Sequence, residues 1–209
     1  MVTAIYNTAS YIQRKTRMRS IALILILFLM TWQVTLTTAS AAEWKQNTQY
    51  LPQYCKDRAK AVGGNLGEWE KWRGVFGELY IHMHHYCNGL YAENKAKTTL
   101  DRNERDKWLR SVKGEMAYVG KHCNSRCVLY PELHTRWGWA LGKSGQFADA
   151  IQHLKMAINA KPKYSRAYSE LSDVYVELNQ INEARQVLEA GLKAKPGSRS
   201  LERRLKALE

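Results

Sequence analysis

Four cysteines and a knot of histidines are the side chains of this chain with the most chemistry to offer. The cysteines are Cys55, Cys87, Cys123 and Cys127. The histidines gather at His82, His84 and His85, and His122 precedes Cys123. An even cysteine count in an exported chain points first to disulfides, and four cysteines allow three connectivities. The expected pairing is Cys55–Cys87 with Cys123–Cys127. The first bond would staple a short helix to a long one, and the second would clip a tight turn. Crossed pairings are the alternative.

The histidines admit a second chemistry. His82 and His85 lie three apart, so they share a helix face, and His84 shares another with Cys87. Two such histidines ligate one metal when a third ligand arrives from elsewhere. A metal- or haem-binding carrier centred on His82, His84 and His85 is therefore the alternative to a purely structural cluster. Cys-x-x-Cys-His is absent, which disfavours covalent haem. His-Glu-x-x-His, Gly-x-Ser-x-Gly and a phosphate loop are absent too. The expectation is no enzyme, no cofactor and no resident metal.

These residues need elements to position them. Residues 1–20 end in a basic cluster, Arg14-Lys15-Thr16-Arg17-Met18-Arg19, followed by the apolar run Ile21–Met30 and an Ala39-x-Ala41 site. That order is a secretory signal peptide, with cleavage expected before Ala42. The apolar run is short for a membrane span, which takes about 20 residues. An uncleaved anchor is the alternative, and only in that case would the chain touch a membrane. The expected compartment is periplasmic or secreted. The net charge of +13 includes the four basic residues of the leader; the rest is spread without a block. Nucleic-acid binders concentrate Lys and Arg on one face, so a nucleic-acid partner is not expected.

Residues 42–130 form a Cys/His-rich helical region. Pro52 suits a first helical turn, giving a short helix over 52–62 before a Gly-rich loop. From Glu68 the apolar residues Trp69, Trp72, Phe76, Leu79, Met83, Tyr86 and Leu90 step by threes and fours, which predicts one amphipathic helix to about Ala96. Gly74, Gly77 and Gly89 weaken it locally. Asp101 with Glu104 is a capping-box arrangement opening a helix over 101–121, with Trp108, Val112, Met116 and Val119 as its buried stripe.

Residues 131–198 carry two copies of one unit. Pro162 and Pro196 lie 34 positions apart. In that register Ala150 falls on Ala184, Leu154 on Leu188, Ala157 on Gly191 and Gly138 on Ser172. Each unit reads as two amphipathic helices. Gly138 or Ser172 lets them approach, Ser144-Gly145-Gln146 or Asn179-Gln180 turns them, and a proline ends them. Residues 199–209 read as a capping helix with Leu201, Leu205 and Leu208 inward. If Gly89 takes the role of Gly138, the second half of the 68–96 helix starts a third, degenerate unit.

The 34-residue period with this residue order resembles the tetratricopeptide repeat. The resemblance implies an all-α solenoid of stacked antiparallel helix pairs whose first helices line a concave groove. It also implies a protein-binding scaffold or assembly factor, with a partner of an envelope or secretion complex. The His82-Met83-His84-His85-Tyr86-Cys87-Asn88-Gly89-Leu90 stretch before two repeats looks like exported bacterial repeat proteins, and that likeness names no reaction. Carried onto this sequence, the family's inner positions are Glu132, Thr135, Trp139, Gly142 and Lys143, then Arg166, Ser169, Asp173, Val176 and Glu177. Trp139 is the informative one. Trp137 is expected to be the buried aromatic of its helix, so Trp139 should point elsewhere, into a groove flanked by Arg136 and Lys143. Packing of Trp139 against the 101–121 helix is the alternative.

Overall fold

The first helices of successive units lie side by side, and each folds back on a second helix. The computed structural model describes residues 43–60 and 66–209. The chain divides into Met1–Trp44 and Lys45–Glu209. The signal peptide expected over residues 1–41 lies outside the described residues. Among the latter, no helix is long and apolar enough to cross a membrane.

The second unit is all-α. Its elements are α1 (Gln53–Lys60), α2 (Leu66–Phe76), a 3-10 segment (Gly77–His82), α3 (Met83–Thr98), α4 (Arg102–Gly120), α5 (Tyr130–Lys143), α6 (Phe147–Ala160), α7 (Ser165–Glu177), α8 (Ile181–Ala194) and α9 (Arg199–Lys206). α3 pairs with α4, α5 with α6 and α7 with α8, and α9 packs on α7 and α8.

The single helix expected from Glu68 to Ala96 is in fact two helices with a 3-10 segment between them. Gly77 adopts a φ of +61°, in the left-handed region that a helix interior does not use. The chain therefore redirects there. α2 buries none of its residues, and its aromatics instead form a partly exposed cluster. Tyr54 of α1 meets Trp72 and Phe76 edge-on, at 5.9 and 5.1 Å between ring centroids. Trp72 also donates to the Asp57 carboxylate at 2.9 Å. Cys55 of α1 is bonded to Cys87 of α3 and Cys123 to Cys127, with Cα separations of 5.6 and 5.3 Å.

Close helix approach explains the small residues. A Cβ on Gly138 would lie 2.6 Å from Leu154 Cγ and 3.1 Å from the Ala150 carbonyl, so α5 and α6 touch there. Gly89 is seated in the same way against Met116 of α4, so the α3–α4 pair copies the repeat geometry. The core between α5, α6 and α7 is Leu141, Ala150, Leu154, Leu171 and Val174. The turns within the repeats use positive φ at Gly145 (+76°) and Asn179 (+57°), conformations that Gly and Asn tolerate best. Asp101 accepts from the Glu104 N–H at 2.8 Å and so caps α4, whose buried stripe is Leu109, Val112, Met116 and Val119. Trp108 is only half-buried and meets Tyr91 edge-on. Leu201 is fully buried, so α9 seals the last repeat.

Candidate functional site

Helices α3, α5, α7 and α9 form one face, and side-chain bridges run across it. Glu93 of α3 is the hub. It is 1% exposed, and both of its oxygens are engaged. Arg136 of α5 donates to one at 2.5 Å, while Arg166 of α7 donates to the other at 2.7 Å. Lys97, one turn along α3, also bonds to Glu93. Arg136 further holds Glu132 and Arg166 holds Glu170, each pair within one helix. Burial pushes the Glu93 carboxyl up, but Arg136, Arg166 and Lys97 outweigh it and hold the group down at about 2. Glu170 goes the other way: burial raises it in spite of Arg166.

Further along, Arg204 of α9 makes two bonds to the Asp173 carboxylate, both at 3.0 Å. Lys143 and Glu177 face each other across α5 and α7 at 3.8 Å and stay about half exposed. Between them Trp139, Gly142, Asp173 and Val174 line a shallow depression of about 10 Å³. A Cβ on Gly142 would sit 2.9 Å from Val174, so α5 and α7 are in contact at its floor. That volume is too small for a buried small molecule, which takes roughly 300–1,000 Å³. The rim suits a chain lying across it.

Arg136 and Arg166 are therefore spent on Glu93, and Asp173 on Arg204. Lys143 and Glu177 remain at the open rim, with Val176 41% exposed beside them. The two tryptophans exchange the roles expected of them. Trp139 is the buried one at 8% exposure, with the Lys97 ammonium 4.8 Å from its ring centroid. Trp137 is half-buried and packs against α4, where a Cβ on Gly120 would meet its ring at 2.9 Å. Alternation along the helix separates the two rings, but which one faces the core is decided by α3 and α4.

The histidines named for a metal stay close together, but each is engaged by another group. His82 lies in the 3-10 segment, with its Nδ1 3.1 Å from the Tyr118 hydroxyl and its ring stacked on His122. His85 bonds Glu115 at 2.7 Å, and Asn88 donates to the other oxygen of that carboxylate. The His84 ring nitrogen faces the Ile81 carbonyl at 3.1 Å. The face that the spacing implied for His82 and His85 is kept, since both rings pack on Tyr118, at 5.6 and 3.7 Å between centroids, but Tyr118 and Glu115 engage their Nδ1 atoms. Among the described residues, no three His, Cys, Asp or Glu side chains converge as metal ligands.

A pair of histidines also escaped the sequence reading. His134 of α5 and His153 of α6 face each other Nδ1 to Nδ1 at 2.7 Å, and Trp137 stacks on His153 at 4.1 Å. One ring must donate and the other accept, so the pair holds a single proton between those atoms. Burial first, then its neighbour His153, depress His134 to about 4; burial also lowers His153, with Asp149 opposing. A depressed folded-state histidine contributes stability that is complete above the unfolded value and is lost as pH falls through it. The loss therefore runs from about pH 6.5 towards pH 4 and amounts to at most about 3 kcal/mol. Urea midpoints across that range should fall for the native protein and flatten for His134→Gln. An unchanged slope in the variant would remove His134 from the account.

Glu93 was missed for a different reason. With Gly89 set in the register of Gly138, Glu93 occupies the twelfth, inner-face position that Gly142 holds in the next unit. That register was a usable signal.

Residues 143–208 match the family model for the tetratricopeptide repeat. No curated protein matches the chain. Among solved structures, a thermophilic TPR protein of Thermus thermophilus aligns at 16% identity with a TM-score of 0.56, over 86% of this chain and 94% of that one. The Sgt2 TPR domain of Aspergillus fumigatus aligns at 20% identity and a TM-score of 0.44, over 57% and 76% of the two chains. The TPR2B domain of yeast Sti1, solved in complex with pHsp70, aligns at 17% identity and 0.44, over 57% and 91%. The Thermus protein shares the fold.

Proposed function

We propose that this chain, whose C-terminal units match the tetratricopeptide repeat, is an exported protein-binding module without catalytic activity of its own. It serves as a scaffold or assembly factor in an envelope or secretion complex. The observation that carries this is the open rim formed by Lys143, Val176 and Glu177 over the close α5–α7 contact at Gly142 and Val174, with the Glu93 network cross-linking α3, α5 and α7 beside it. A close-packed floor with an exposed, mixed-charge and partly apolar rim presents a preorganised surface to a peptide or partner helix, which lowers the ordering cost of binding. Export is supported by the leader-like order of residues 1–41 and by two disulfides, bonds that persist in oxidising compartments.

The test is site-directed photocrosslinking in the producing cell. A benzoylphenylalanine replacing Val176 should give a discrete protein adduct, and one replacing the exposed Lys155 of α6 should not. Equal labelling from both positions, or none from Val176, would sink the groove.

A further inference from the structure

The cations of the groove floor are neutralised within the fold, and a different set is left open. On α4, Arg102, Asp106, Arg110 and Lys113 follow one another at helical spacing along one face. They line a cavity of about 480 Å³ together with Lys143 and the turn that follows α5. Four cations meet one carboxylate there. Lys113 donates to the neutral side-chain oxygen of Gln146 at 2.6 Å. Among the described residues, Lys143 at the rim pairs with Glu177 at a loose 3.8 Å; Glu170 and Asp173 line the same depression but are taken by Arg166 and Arg204. Among the described residues, Arg102 and Arg110 have no ion pair. By contrast, Arg136, Arg166 and Arg204 are each closed by a carboxylate.

Lys143 belongs to both places: it lines this cavity and the groove depression. A chain crossing the rim by Val176 and Glu177 would therefore run on into the basic cavity. We infer that the partner presents an acidic stretch, whose Asp or Glu side chains enter between Arg102, Arg110, Lys113 and Lys143. Guanidinium groups bind carboxylates in a planar, two-point fashion, and two free arginines on one helix face suit successive acids of an extended segment. The recess and its link to the groove favour a peptide over a flat anionic surface. The basic set is also bounded by Glu104, paired with Lys107, and by Glu177, so it does not extend into the basic stripe that nucleic acid requires.

This inference rests on the proposed groove, and the two are separable by experiment. The probe is a fluorescein-labelled peptide of glutamates spaced by Gly-Ser, titrated by anisotropy against the full protein; a glutamine version serves as control. The acidic probe should bind, weaken with salt, and lose about tenfold or more in affinity in Arg102→Ala/Arg110→Ala. Lys155→Ala/Lys163→Ala, which removes equal charge elsewhere, should leave binding within about twofold. Equal losses in both variants would reduce the effect to net charge and overturn the site. Binding of phosphatidylglycerol vesicles through the same arginines, with no binding of the peptide, would overturn it in favour of a lipid surface. Loss of peptide binding in the arginine variant with Val176 crosslinks unchanged would overturn the inference and leave the groove standing, because the captured partner would not use the cavity. Absence of Val176 crosslinks in the otherwise native protein, with binding of the acidic peptide intact, would indict the groove and leave the cavity standing.

Discussion

Replacing Glu93 with alanine should destabilise the fold by about 3–5 kcal/mol, the range for removing one member of a buried charge cluster. Glu93 is almost fully buried, and three cations converge on it: Arg136, Arg166 and Lys97. Without it, Arg136 keeps Glu132 and Arg166 keeps Glu170, but both guanidinium groups lose the acceptor that brings them together. Glu93→Gln preserves the shape and removes the charge, so it should cost nearly as much. The combined change Glu93→Met, Arg136→Leu, Arg166→Met should recover much of the loss, because apolar replacement removes the desolvation cost with the charges. Urea unfolding of the four proteins measures this, and a cost below about 1 kcal/mol for Glu93→Ala would mean that solvent supports the network. The acid limb offers a second check. A carboxyl held down at about 2 contributes stability that is present above its unfolded value near 4.5 and lost as pH falls from there towards 2. Glu93→Gln should flatten that limb. The His134–His153 pair acts higher, between about pH 6.5 and 4, so the two are distinguishable by pH.

Opening the Cys55–Cys87 bond by Cys55→Ser/Cys87→Ser should cost about 3–4 kcal/mol. The bond spans 32 positions, and on the chain-entropy account closing a loop of that length restricts the unfolded chain by about that much. The Cys123–Cys127 bond spans 4 positions, and its loss should cost about 2 kcal/mol. The location of damage is a sharper test than its size. α1 contacts only α2 and α3 substantially, so limited proteolysis of the first variant should cut within residues 45–82 before the α5–α9 repeats. Simultaneous loss of both regions would show that the staple supports the whole solenoid. Free thiols in protein recovered from its native compartment would contradict the exported reading as well.

The repeats were legible in the sequence because each helix pair contacts mainly its neighbours. The 34-residue register that placed Ala150 on Ala184 and Gly138 on Ser172 encodes those contacts directly, since both small residues sit where helices touch. The turns at Gly145 and Asn179 and the cap at Asp101 were legible too, because local backbone chemistry decides them. The groove was another matter. Glu93 reaches Arg136 and Arg166, which stand 43 and 73 positions along the chain. The register puts Glu93 on an inner face but does not say which side chains reach it; they meet because the stacking of α3, α5 and α7 brings their inner faces together. The same stacking turns Trp139 inward and leaves Trp137 on α4, and it sets His134 against His153. Composition and periodicity determined which faces pack. The angle at which one helix pair rests on the next comes from many small side-chain fits, and only the tertiary structure decided which charges that angle consumed and which, at Arg102, Arg110 and Lys143, it left open.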